Sequence, residues 1–108
     1  MLEINFQKTA IQFLENHPSV ARVWSNDQDK TRMRKYTRGN KKKGLPDICG
    51  FLCHGHGPFF IELKVGRNTA TPEQTEFINV ANKNGYVAFV ARNMTELTLL
   101  FETLISEV

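Results

Sequence analysis

The chain has 108 residues, 41% of them hydrophobic and 23% charged, with a net charge of +3. That is the length of one domain, residues 1–108, with the composition of an ordinary globular protein, and no apolar run reaches the ~18–20 residues that span a bilayer. The chain begins MLEINFQ, with an acid at position 3 and no basic stretch, so no signal peptide is expected and the protein is expected in the cytoplasm.

Residues 2–15 repeat Leu2, Phe6, Ala10, Phe13 and Leu14 at helical spacing, with Ile4 and Ile11 beside them, and Asn16, His17 and Pro18 end the run. Val20 to Ser25 alternates as a short strand, with Val20 and Trp24 expected on one face and Trp24 in the core. Residues 26–45 are polar and basic, without periodicity. So long an irregular segment inside a small domain is expected to contact a ligand, or to order when it does. Pro46 opens a strand running to about Cys53. His54-Gly55-His56-Gly57-Pro58 reads as a turn and Phe59 to Val65 as the returning strand of a hairpin.

Thr71-Pro72-Glu73-Gln74 is a helix start, with Thr71 as N-cap, Pro72 at the first helical position and Gln74 at the third. Phe77, Ile78, Val80 and Ala81 supply its apolar face, and Gly85 terminates it. Tyr86 to Ala91 is apolar throughout, hence a strand that is central or covered on both faces. Asn93 or Thr95 caps a last helix striped by Leu97, Leu100, Phe101, Leu104 and Ile105. The order is helix, three strands, helix, strand, helix, which predicts an α/β fold with a mixed sheet flanked by helices.

Charge is unevenly spread. Nine of the fourteen Lys/Arg residues lie between Arg22 and Lys43, against only Asp27 and Asp29, so this segment carries +7 and the remainder −4. A basic segment on an otherwise acidic domain implies a polyanionic partner.

The hairpin carries the chemistry. On the second strand Phe60, Glu62 and Lys64 share one face, while Phe59, Ile61, Leu63 and Val65 form a plain core face. Glu62 and Lys64 therefore project together, about 6.6 Å apart along the strand. Asp47 joins them if the hairpin register puts it on the same side. Two carboxylates suit a hard divalent cation such as Mg²⁺, the backbone carbonyl of Leu63 is a further oxygen donor, and a lysine beside them can orient water or offset developing charge. Charged residues alternating on a strand more often form a solvated face, and the nearness of Asp47 and Phe60 is what favours a site.

Pro46-Asp47 followed by Glu62-Leu63-Lys64 resembles the PD-(D/E)XK motif of restriction-endonuclease-like nucleases. The strings Gly44-Leu45-Pro46-Asp47-Ile48, Phe60-Ile61-Glu62-Leu63-Lys64 and Thr71-Pro72-Glu73-Gln74 are similar to those of the virus-type replication-repair nuclease (VRR-NUC) branch, and the likeness covers nearly the whole chain. It implies a restriction-endonuclease-like core, α-β-β-β-α-β with a C-terminal helix, and a Mg²⁺-dependent DNA endonuclease in which Mn²⁺ can substitute. Asp47 and Glu62 would be metal ligands with the Leu63 carbonyl, Lys64 the catalytic lysine, and Gln74 a residue facing the site. An acid on the first helix is also implied; Glu3 matches best, with Gln7 one turn later, and Glu15 is the alternative. The resemblance further implies junction or branched DNA as substrate, no organic cofactor, and a DNA-repair setting in a bacterial or phage-infected cell; a homodimer is expected by symmetry, since its two sites could cut paired strands of a junction.

Arg32, Arg34, Lys35, Arg38, Lys41, Lys42 and Lys43 are the expected phosphate contacts, with Lys41-Lys42-Lys43 placed to offset the repulsion between the acids and the DNA backbone. Trp24 and Tyr36 are candidates for base stacking, although Trp24 is expected in the core. The rival function is a non-catalytic nucleic-acid-binding module that uses only the basic segment. Cys49, Cys53, His54 and His56 depart from zinc-ligand spacing and read as reduced thiols and a histidine-bearing turn, and His17 as a helix-end residue.

Overall fold

The computed structural model describes residues 3–26 and 44–108, with the side chains of Glu3 and Ile4 not described. Seven main elements follow one another: α1 (Glu3–Glu15), β1 (Val20–Ser25), β2 (Ile48–Leu52), β3 (Pro58–Leu63), α2 (Pro72–Lys83), β4 (Val87–Ala91) and α3 (Met94–Ile105). The order is the one expected from the sequence. Strand β2 stops at Leu52, because Cys53–Gly55 turn as one 3-10 loop in which His54 takes a positive φ of 61°.

The strands form a four-stranded sheet in the order β1-β2-β3-β4. The first two pairings are antiparallel and the third is parallel, so the sheet is mixed. The parallel step follows from connectivity: β3 reaches β4 only through α2, and a crossover helix brings a strand back in the same direction.

One face of the sheet packs on α1 and α3. Phe6, Ala10 and Leu14 from α1 and Leu97 and Phe101 from α3 meet Ile48, Leu52, Phe59, Ile61, Leu63, Val87, Phe89 and Ala91 in one buried cluster. His17 locks the end of α1 to α3, with Nε2 3.0 Å from Glu102 Oε2 and the ring edge-on to Phe101. Among the described residues the other face is covered more thinly. There α2 sets Ile78 and Ala81 against Ala88, with Phe60 and Val90 alongside. Strand β4 is an edge strand among the described residues, but α2 and α3 pack on it from opposite faces, which explains its unbroken apolar sequence.

Two side chains lie on the opposite face from the one their sequence suggests. A bulge interrupts the β1–β2 register between Val20 and Arg22. The extra residue reverses the side-chain parity, so Val23 rather than Trp24 joins Val20 against the core, and Trp24 stands 43% exposed on the opposite face. On α2, Val80 is 53% exposed. It follows Ile78 by two positions, about 200° around the helix, and the buried stripe runs through Phe77, Ile78 and Ala81 instead.

No helix among the described residues is long and apolar enough to cross a membrane.

Candidate functional site

The hairpin register brings the two carboxylates together. Ile48 pairs with Ile61 and Cys49 with Phe60, so extending the ladder by one residue sets Asp47 opposite Glu62. Their contacts are reciprocal. Asp47 Oδ2 accepts from the Leu63 amide at 2.9 Å, and the Asp47 amide donates to Glu62 Oε1 at 3.2 Å. The Asp47 side chain thus caps the end of β3, and the Leu63 side chain is spent entirely in the core, leaving only its backbone for the site.

Glu62 is the one buried charged residue in the described core, at 2% exposure. Its Oε2 receives two donors, Lys64 Nζ at 3.1 Å and Gln74 Nε2 at 2.8 Å. A carboxylate removed from water needs such partners, since an unsatisfied buried charge costs several kcal/mol (about 3–5 when one member of a buried pair is removed). Even so, burial first and the neighbouring Asp47 charge second push Glu62 up to about 7, against the opposing pull of Lys64. A pair of crowded oxygen donors at the end of a sheet, one held short of full ionisation, is a donor set that a hard divalent cation would stabilise. The residues present fit Mg²⁺, which typically takes one or two carboxylates and keeps several waters. Among the described residues no group of three or more His, Cys, Asp or Glu gathers as a metal cluster, so any third protein oxygen is a backbone carbonyl or a residue outside the described set.

Gln74 works at two tasks. Its Oε1 accepts from the Thr71 amide at 2.9 Å while its own amide donates to Thr71 Oγ1 at 3.1 Å, a complete capping box. That fixes the side chain so that Nε2 points at Glu62. The first turn of α2 is itself pinned against the chain entering β2. Gly44 has φ +82°, and a Cβ there would lie 2.5 Å from the Glu73 carbonyl oxygen. Only glycine meets both conditions.

Asn26 was not anticipated from the sequence. At the end of β1 its amide donates to the Asp47 carbonyl at 2.9 Å, and its Nδ2 reaches the Pro46 carbonyl at 2.8 Å and Cys49 Sγ at 2.9 Å. It clasps the Pro46-Asp47 step from the neighbouring strand. An asparagine in an irregular polar stretch carries no signal for such a role, because the contact depends on the β1–β2 pairing. Burial pushes the Cys49 thiol up, partly opposed by the Asn26 hydrogen bond, so this cysteine is held as a neutral packing group. Cys53 Sγ lies 3.6 Å from the Pro18 carbonyl.

The first-helix acid is placed only by its backbone. Gln7 Nε2 bonds Ser25 Oγ, and Ser25 pairs with Ile48, next to Asp47. The amino-terminal end of α1, with Glu3, therefore lies toward the candidate site. Glu15 is near His17, whose carbonyl accepts from Val20 at the opposite end of β1 from Ser25. The expected basic contacts Arg32, Arg34, Lys35, Arg38, Lys41, Lys42 and Lys43, with Tyr36, lie outside the described residues.

No protein-family model and no curated protein matches the chain. Among solved structures, a VRR_NUC domain protein superposes with a TM-score of 0.70 and 23% identity over 98% of this chain and 89% of that one. The chain therefore has the fold of a VRR_NUC domain protein, a restriction-endonuclease-like core with a mixed sheet between helices.

Proposed function

We propose that this protein is a Mg²⁺-dependent nuclease that hydrolyses phosphodiester bonds in DNA, with branched DNA or junctions as preferred substrates. The observation that carries the reading is the buried Glu62 carboxylate, crowded by Asp47 and held by Lys64 and Gln74. A purely structural ion pair gains nothing from a second carboxylate beside it, and that arrangement is expensive unless function requires it. The likeness in fold to a VRR_NUC domain protein supports the same reading.

In this mechanism Asp47, Glu62 and the Leu63 carbonyl would hold the cation, with Glu3 as a further acid. When bound, the metal polarises the phosphoryl oxygen and lowers the pKa of a water. Lys64 stands beside Glu62 with its side chain 16% exposed, able to hold the attacking water by a hydrogen bond and to offset negative charge gathering on the phosphate oxygens. Gln74 keeps Glu62 aimed, and Asn26 keeps Asp47 in register. The basic segment supplies the phosphate contacts, and two copies in a homodimer would present paired sites to the two strands of a junction.

The test is cleavage of flap, junction and duplex DNA with Mg²⁺ or Mn²⁺. Cutting that needs the metal and favours branched substrates is expected. Binding without cutting under every metal condition would instead identify a non-catalytic nucleic-acid-binding module.

A further inference from the structure

Among the described residues the α2 side of the sheet is only half covered. Helix α2 packs over β3 and β4, while the β1–β2 half presents Trp24 and Phe51 at 43% and 45% exposure. Trp24 pairs with Cys49 across the strands and Arg22 with Phe51, so all of these side chains leave the same face as Asp47 and Phe60. The two exposed rings touch edge to face, with centroids 6.3 Å apart, and the exposed Arg22 lies on the same strip.

The geometry points to a stacking platform for unpaired bases of the substrate, an inference that rests on the nuclease reading and narrows it. Large aromatics are costly to leave in water, and here the bulge in β1 turns Trp24 out of the core. Spacing fits the candidate site. At ~3.3 Å per residue, Cys49 and Phe51 stand about 7 and 13 Å along β2 from Asp47. Bases resting there would be roughly two to four nucleotides from a phosphate at the carboxylates, at the ~3.4 Å rise of a stacked strand. Charge selects the occupant. Arg22 and Trp24 stand at the start of the Arg22–Lys43 segment of +7, which suits a polyanion and opposes a second identical copy. Aromatic faces with flanking cations are what single-stranded nucleic acid requires, because every base offers a π-face.

Trp24 is the single tryptophan of the chain, so its emission reads this surface alone. The full chain is titrated with oligothymidylate and with a blunt duplex in chelator, where nothing is cut, following both Trp24 fluorescence and anisotropy of labelled DNA. Single-strand binding should quench Trp24 in step with the anisotropy. Trp24→Ala should weaken single-strand affinity about tenfold or more relative to duplex affinity, and Trp24→Phe should restore most of it. Unchanged emission at saturating single strand, or no single-strand binding at all, overturns the platform. So does a Trp24→Ala variant whose single-strand preference is intact but which sediments as a smaller species, since the patch then belongs to a second copy. Metal-dependent cutting of DNA by the unaltered protein is independent of each of these results and continues to test the nuclease reading alone.

Discussion

Lys64 and Gln74 both bond the same oxygen of Glu62, yet their loss should differ. Gln74 also completes the capping box of α2, so its replacement disturbs a helix as well as the site. Lys64 pairs with Glu62 and caps no element. Lys64→Ala should therefore leave DNA affinity within about twofold, since one missing ammonium removes at most one phosphate partner, while cutting falls by about a hundredfold or more as the charge stabilisation disappears. Filter binding beside single-turnover cleavage separates the two quantities, and normal cutting by the variant would show that Lys64 is misassigned. Asn26 acts one step further back, holding the Pro46 and Asp47 carbonyls rather than any reacting group.

At the scale of elements, the site is a junction of three chain ends: the end of β1, the start of β2 and the end of β3, closed by the first turn of α2. Gly44 is where two of these meet. Gly44→Ala would force both a left-handed φ and a Cβ at 2.5 Å from the Glu73 carbonyl oxygen. Backbone strain of this kind costs about 1–3 kcal/mol. The expected result is a lowered midpoint in chemical denaturation, with cleavage reduced beyond what the fraction unfolded explains, because Gln74 moves with the helix. Denaturation and activity measured on one preparation decide it; an unaltered midpoint would mean that the entry to β2 yields without cost. The Thr71 cap and Pro72 show in contrast how local chemistry starts a helix without tertiary help.

Across the whole molecule, the uneven charge matters more than the net +3. The acids that define the site repel the phosphate backbone they would act on, and every basic residue of the positive segment beyond Arg22 lies between β1 and β2 in sequence, so the chain enters it at Asn26 and leaves it at Gly44, beside those acids. Replacing Lys41, Lys42 and Lys43 together by alanine should weaken DNA binding. Plotted as log affinity against log salt, the slope should flatten by up to about 2.7, at roughly 0.9 for each phosphate that is no longer neutralised. An unchanged slope would put the DNA-binding surface elsewhere.

The amino-acid order alone determined the elements and the side most of them present, because the cues are local. The helical repeat of residues 2–15, the capping sequence at Thr71, the glycine at 85 and the alternation that sets Glu62 and Lys64 against Ile61 and Leu63 all act within a few residues. That Glu62 and Lys64 share a face was legible for the same reason, whereas Asp47 was conditional on the hairpin register and Gln74 was named only through the family resemblance, and the fold agreed with that resemblance. What needed the tertiary structure was everything that depends on pairing between distant segments. Only the β2–β3 register set Asp47 opposite Glu62, and only the β1–β2 ladder brought Asn26 to the Pro46-Asp47 step. The same ladder hides the bulge after Val20, a single inserted residue with no local signature, which turned Trp24 from an expected core residue into an exposed one. Register is a property of two strands at once, and a one-residue slip sends every later side chain to the opposite face.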